Sequence, residues 1–285
     1  MSTLADIINA KNQSDHAWQQ KRESDIADAT AIRDSGIAVV STDPDTYGAY
    51  LTLQGDNPMY SAGNIILCLY QLDSPTKVGT KQRWSSLGRR INADVEGHGA
   101  KIFTQGGQLG MAYDISQTDG REIAEPSLPD GTDRMVRALT TLMNYGPINP
   151  VNDTSLESVA LFDENNKQLR VNPDAPQSEA FSAIAREVAL YRMHSNMKNK
   201  SYYDRDQLYL DADSVSYILC RRFGVQRELP DASNIASLTA GLPLESMTKI
   251  LDNVQDMAKH IGGGIEKAID VQQRVQNQKP NRPRR

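Results

Sequence analysis

Polar residues dominate the first twenty positions, and the few apolar ones among them are scattered, which predicts a loosely attached N-terminal helix over an extension at 1–20. An Ala/Asp-rich stretch at 22–37 predicts a helix ending near Gly36. PDTYGAYLTLQ predicts another, opened by Pro44 after Asp43. Ser61 is placed to cap AGNIILCLYQ, whose apolar run stops at the Asp73-Ser74-Pro75 turn. A short helix near 82–87 precedes AKIFTQ and QLGMAYD, two strand-like pieces joined by Gly106-Gly107.

Further on, SVALFD and KQLRVNP flank Glu164-Asn165-Asn166 as the arms of a hairpin, and helices are predicted over 178–193 and 206–223. The last helix, 243–277, carries Leu244, Met247, Leu251, Val254, Ala258, Ile261 and Ile265 at spacings of three and four, a narrow seam. That seam either packs on its own chain or serves a partner or self-association. Gly262-Gly263-Gly264 interrupts it and argues against a long rigid coiled coil. The two prolines, glycine and acids of REIAEPSLPDGTD mark the best linker. These elements predict an α+β protein of two domains, a small mixed helix/strand domain at 21–125, a linker at 126–150, a helical domain with a β-hairpin and long C-terminal helix at 151–275, and a basic tail at 276–285.

Composition narrows the function classes. With 39% hydrophobic and 24% charged residues among 285, the chain has the make-up of a globular protein. No apolar run approaches the ~20 residues that cross a bilayer, and the N-terminus lacks a secretory layout, so the expected location is cytoplasmic with no membrane partner. Cys68 and Cys220 sit in apolar contexts without a metal spacing and read as buried thiols. The net charge of −5 gives no global argument for nucleic acid.

A local argument exists. Between Lys77 and Lys101, six cations (Lys77, Lys81, Arg83, Arg89, Arg90, Lys101) face only Asp94 and Glu96. Trp84 lies among them, with Tyr60 and Tyr70 nearby, the combination of backbone cations and stacking rings that single-stranded nucleic acid uses. The loop EGHGAK would let backbone amides approach a phosphate. The same residues also read as a core tryptophan beside a solvated face.

One helix resembles a metal site with the metal chemistry removed. Where a metallopeptidase carries His-Glu-x-x-His, the chain reads Arg186-Glu187-Val188-Ala189-Leu190. Centring one face on Val188 gathers Phe181, Ile184, Ala185 and the Arg192 stem within about 60° and leaves Arg186, Glu187, Leu190 and His194 on the flank and back. Arg186 cannot deprotonate and Leu190 has no donor atom. On the next helix, Leu208, Ala212, Val215 and Leu219 form a stripe that includes Asp211 and leaves Asp213 opposite, which predicts an Arg186–Asp211 ion pair. A metal set of Glu187, His194 and Asp211 is the alternative, with zinc as its cofactor.

The run from Ser158 onward, with AFSAIAREVALYRMH and LDADSVSYILCRRFGV, resembles the ImmA/IrrE-type zinc-peptidase domain of bacterial mobile-element proteins. YGAYLTLQGDNPMYSAGNIILCLYQ, KVGTKQRWSSLGRRINADVEGHGAKIF and YDISQTDGR resemble the single-stranded-DNA-binding domain of ArdC-type antirestriction and LtrC-like proteins. The resemblance implies a zincin-like scaffold, with the zinc histidines falling on Arg186 and Leu190, the general base on Glu187 and the third ligand on Asp211. It implies no catalytic residue and no cofactor. Single-stranded DNA is the implied partner, through Tyr60, Asn64, Lys81, Arg83, Trp84, Arg89, Arg90 and Lys101, in a mobile-element antirestriction or conjugation role. A peptidase with unusual ligands, or an interaction module built on helix 243–277, are the competing functions.

Overall fold

The computed structural model describes residues 3–147, 149–197 and 204–276, and the side chains as far as 270. The basic tail falls outside them from 277 on. The chain forms two compact units, one from Met1–Val40 with Gly63–Glu122, the other from Ser41–Ala62 with Ile123–Arg285. Both mix helices with small sheets.

The first unit begins with α1 (Leu4–Val40), whose residues 4–21 are all exposed. The break expected near Gly36 is absent. Gly36 is an interior position, and a Cβ there would strike Ile66 and Tyr70 of α3 (Ala62–Gln71), so the glycine sets how closely the two helices approach. A three-stranded antiparallel sheet follows, in the order β1 (Val78–Thr80), β4 (Leu109–Asp114), β3 (Ala100–Phe103). The β3–β4 hairpin pairs Ala100 with Ala112 and Phe103 with Leu109. Gly107, at φ +68, makes its turn, a conformation glycine adopts without steric cost.

Between β1 and β3 lie α4 (Lys81–Ser86), capped by the Thr80 hydroxyl, and β2 (Arg89–Ile91), which pairs antiparallel with β5 (Thr118–Gly120). Asp114 caps the intervening 3-10 turn with a complete capping box to Gln117.

The second unit is discontinuous. Helix α2 (Pro44–Asp56), capped by Asp43 as its Asp-Pro start implies, belongs here rather than with the residues on either side of it. It packs on α7 (Arg205–Phe223): the Tyr47 and Ser214 hydroxyls bond at 2.8 Å, and Arg221 clamps Asp56 through Nε at 3.1 Å. The segment expected to be a linker, 126–150, instead contains α5 (Asp133–Met143), which buries Met135, Ala138 and Leu142. Its strong apolar face is reason enough for it to join a core.

A small sheet orders β6 (Val151–Asn152), β8 (Gln168–Val171) and β7 (Ala160–Asp163), with β7 at an edge. Helices α6 (Gln177–Asn196) and α7 form the centre of this unit, in close contact because Ser182 and Ser216 meet at their crossing, where the Ser216 hydroxyl donates to the Ser182 carbonyl at 2.7 Å. After α7, α8 (Ile235–Leu238) leads to α9 (Leu244–Gln276).

The α9 seam is used within the unit. Leu251, Val254, Ala258, Ile261, Ile265 and Ile269 are all buried, which removes them from any partner surface. The three glycines do not break the helix. Cβ atoms at Gly262 and Gly264 would collide with Arg222 and the Tyr145 hydroxyl, so they are close-approach positions for neighbouring side chains.

Candidate functional site

Helix α6 is buried on every side along its middle turns, so the division into a core face and an open back does not hold. Leu190 and Glu187 both have zero exposure. Leu190 is core. Glu187 is a carboxylate in the interior, and every strong contact it makes is with protein. One oxygen accepts the Phe162 N–H from the free side of edge strand β7 at 2.9 Å and the Arg205 Nη2 at 2.7 Å. The other accepts from Arg186 Nε at 3.2 Å.

The network continues across to α7. Arg186 Nη1 lies 3.6 Å from Asp213 Oδ1, and its guanidinium stands 5.1 Å from the centre of the Tyr209 ring. Asp213 is held more tightly by Arg227, whose Nη2 donates to Oδ2 at 2.8 Å while Nη1 donates to Ser216. The expected Arg186–Asp211 pair is therefore replaced by Arg186–Asp213. The single-stripe reading failed because α7 is buried all round from Ala212 to Cys220, so the residue opposite the chosen stripe is also inside.

These residues do not suit a metal ion. A buried dication needs about three donors free to converge. Here Arg186 and Leu190 offer none, both oxygens of Glu187 are taken by arginines, and Asp213 gives Oδ2 to Arg227, which leaves only its Oδ1 without a hydrogen bond, 3.6 Å from the Arg186 guanidinium. Among the described residues, no group of three or more His, Cys, Asp or Glu could hold a metal ion. His194, the alternative ligand, is buried with its ring 5.8 Å from that of Phe162. Glu187 could serve as a general base only by surrendering Arg186 from one oxygen, or Arg205 and the Phe162 amide from the other. Sequence reasoning missed Phe162, Arg205, Asp213 and Arg227, because all of them join the site only through the packing of distant segments.

Asp211 faces elsewhere and no hydrogen bond or ion pair reaches it from the described residues. Burial pushes its carboxyl up to about 7. Between the ordinary carboxylate range and about pH 7 the unfolded chain has released a proton that the folded chain keeps, so stability falls as pH rises through that window. Asp211→Asn is expected to stabilise the protein by about 1–3 kcal/mol at pH 8 and much less at pH 4, a gap that widens with pH in paired thermal melts. A constant gap would show that the carboxyl is not desolvated. The thiols behave as the sequence suggested. Burial raises Cys68 to about 12 and Cys220 to about 11, which keeps both unreactive.

The cation-rich segment of the first unit is reshaped by its contacts. Trp84 is only 2% exposed, and its Nε1 donates to the Tyr113 carbonyl at 2.9 Å, so the ring belongs to the core and is not available to a base. Arg89 is committed to backbone: Nη2 donates to the Thr118 carbonyl at 2.6 Å, Nη1 to Arg121 at 2.7 Å, and Nε to the Thr118 hydroxyl. Asn64 clamps Phe103 with two bonds of 2.8 Å, tying α3 to the edge of β3.

Lys101 pairs with Asp25 at 2.9 Å and Lys81 with Glu96. Tyr60 lies in the other unit. Arg83 and Arg90 remain exposed, joined by Arg121 beyond β5, which the sequence reading did not single out.

No family model matches the sequence, and no curated protein does. Two solved structures share its fold, both of the antirestriction protein ArdC from plasmid R388. The metal-free crystal structure matches with a TM-score of 0.50 and 12% identity over 85% of this chain and 98% of that one. The Mn(II)-bound structure matches with a TM-score of 0.50 and 14% identity over 85% and 97%. The likeness establishes an ArdC-like fold.

Proposed function

We propose that this chain is a non-catalytic, single-stranded-DNA-binding protein of the antirestriction type, carried by a mobile genetic element and acting in the cytoplasm. Its second unit is a zincin-like, ImmA/IrrE-related scaffold turned into a pseudo-peptidase. The observation that carries this reading is the arginine cage on Glu187. The position a peptidase would use as its base is sealed by Arg205, Arg186 and a backbone amide, and the neighbouring ligand positions are Arg186 and Leu190. The ArdC-like fold supports the antirestriction assignment.

DNA would be held by the cations that remain exposed on the first unit, Arg83, Arg90 and Arg121, with Lys81 beside them. Trp84, Arg89 and Asn64 hold that surface in shape rather than touching DNA, and Tyr70 on α3 is 44% exposed. Micromolar binding that weakens steeply with salt is expected. Each phosphate contact removed should flatten the log–log salt slope by about 0.7, so Arg83→Ala with Arg90→Ala should weaken binding at least about tenfold at low salt and less at high salt. A fluorescence-anisotropy titration with an oligonucleotide at two salt concentrations measures both effects. Binding indifferent to salt and to both substitutions would remove this surface as the DNA site.

A further inference from the structure

On the side of α7 away from the arginine cage, a cleft of about 460 Å³ opens between α6, α7 and α9. Its polar wall consists of Arg192, Asn196, Asp211, Asn253, Asp256 and His260. A second cavity of about 430 Å³ lies against α7, α8 and α9 and is mainly aliphatic, through Leu210, Ile235, Leu238, Leu242, Ile250 and Leu251. Leu208 and Asp211 line both chambers. Each volume is of the size that takes a small organic molecule.

The polar groups of the aliphatic chamber largely satisfy one another. Tyr47 bonds to Ser214, and the Thr239 hydroxyl donates to the Ser41 carbonyl at 2.7 Å. Asp211 is different: it lines both chambers, and no hydrogen bond or ion pair from the described residues reaches it. Arg192 does not neutralise it, because its guanidinium lies against the Tyr145 ring at 5.5 Å, with Nε buried and unbonded. A carboxylate left unpaired by the described residues, between an apolar chamber and a polar one, is costly to keep unless something cationic meets it.

We infer that the paired chambers form a binding site for an amphipathic organic cation, its apolar body among Leu238, Leu242 and Ile250 and its ammonium or amidinium group on Asp211. Asp256, on the same polar wall, offsets the charge of Arg192 there, so Asp211 sets the sign of the field at the cation's end. The carboxylate-facing geometry favours an amine over an acid or alcohol of the same shape. The site shares no residue with the arginine cage and is independent of the DNA-binding reading.

The test uses the full chain with three probes of equal length: hexylammonium, hexanol and hexanoate. Hexylammonium is expected to raise the melting temperature and bind measurably by calorimetry, hexanol more weakly, and hexanoate not at all. Asp211→Asn, a variant expected to fold at least as well as the parent, should lose at least about tenfold in hexylammonium affinity, equivalent to about 1.4 kcal/mol, and leave hexanol unchanged. Leu242→Phe, which fills the aliphatic chamber, should weaken both. Equal binding of hexanoate and hexylammonium, undiminished amine binding in Asp211→Asn, or no response to any probe would overturn the site.

Discussion

Glu187→Ala is expected to destabilise the second unit by about 3–5 kcal/mol, because it empties a fully buried position and leaves the part-buried Arg186 and Arg205 without their carboxylate and the Phe162 N–H without an acceptor. Urea unfolding followed by circular dichroism measures it. Glu187→Gln keeps an acceptor for the amide and removes only the charge, so its cost should be smaller. Arg186→Ala should cost less still, since Arg227 continues to hold Asp213 at 2.8 Å and Arg205 continues to hold Glu187. In a catalytic glutamate the order would be reversed in kind: loss of activity with little loss of stability, since a general base must keep one oxygen open for a proton. A cost below about 1 kcal/mol for Glu187→Ala would mean that the cage holds little of the fold together.

Trp84→Ala should cost a similar amount, about 3–5 kcal/mol, by emptying the largest side chain from the core of the first unit. The indole sits against Gly79, where an added Cβ would come within 3.0 Å of Cε2, so there is no slack for the neighbours to close the cavity. DNA binding would then be lost together with the fold. Trp84→Phe separates the two roles. It gives up the bond to the Tyr113 carbonyl yet keeps most of the packing, and it should bind DNA with the parent's affinity at temperatures where it stays folded. A folded Trp84→Phe protein with severely weakened DNA binding would restore the ring as a stacking platform. Fluorescence offers a second check, because Trp18 is 61% exposed and Trp84 is not. In a Trp18→Phe background, DNA should leave the remaining emission unquenched.

The elements with local punctuation were legible. Asp43-Pro44 starts α2 where the chemistry says it should, and the β3–β4 and β7–β8 hairpins follow from alternating runs around turn residues. What could not be read were features decided by a distant neighbour. Gly36, Gly262 and Gly264 look like helix breakers, yet each makes room for a side chain from elsewhere. In an otherwise well-packed helix, that outweighs a propensity cost of about 1 kcal/mol per glycine. Nothing in the sequence of α2 says that it leaves its neighbours to pack on α7.

The site shows the same division. Arg186 and Leu190 were sufficient to argue against a metal centre. The identity of the partner was not readable, because a helix buried on two sides has two candidate stripes. Asp211 and Asp213, two residues apart on α7, face opposite ways: one closes the cage, the other lines the clefts. The cations of the first unit were likewise found as a group. Which of them are structural depends on the Thr118 and Arg121 carbonyls, which converge on Arg89 only in the folded chain.

On the proposed reading, the arginine cage stands where a zinc peptidase would hold its metal. Its most direct test is elemental analysis of the tag-free protein after equilibration with Zn(II) and with Mn(II) followed by gel filtration, with melting temperatures recorded in parallel. The account predicts substoichiometric metal and an unchanged melting temperature with either ion. One tightly retained ion per chain, raising the melting temperature and lost on Glu187→Gln, would contradict it.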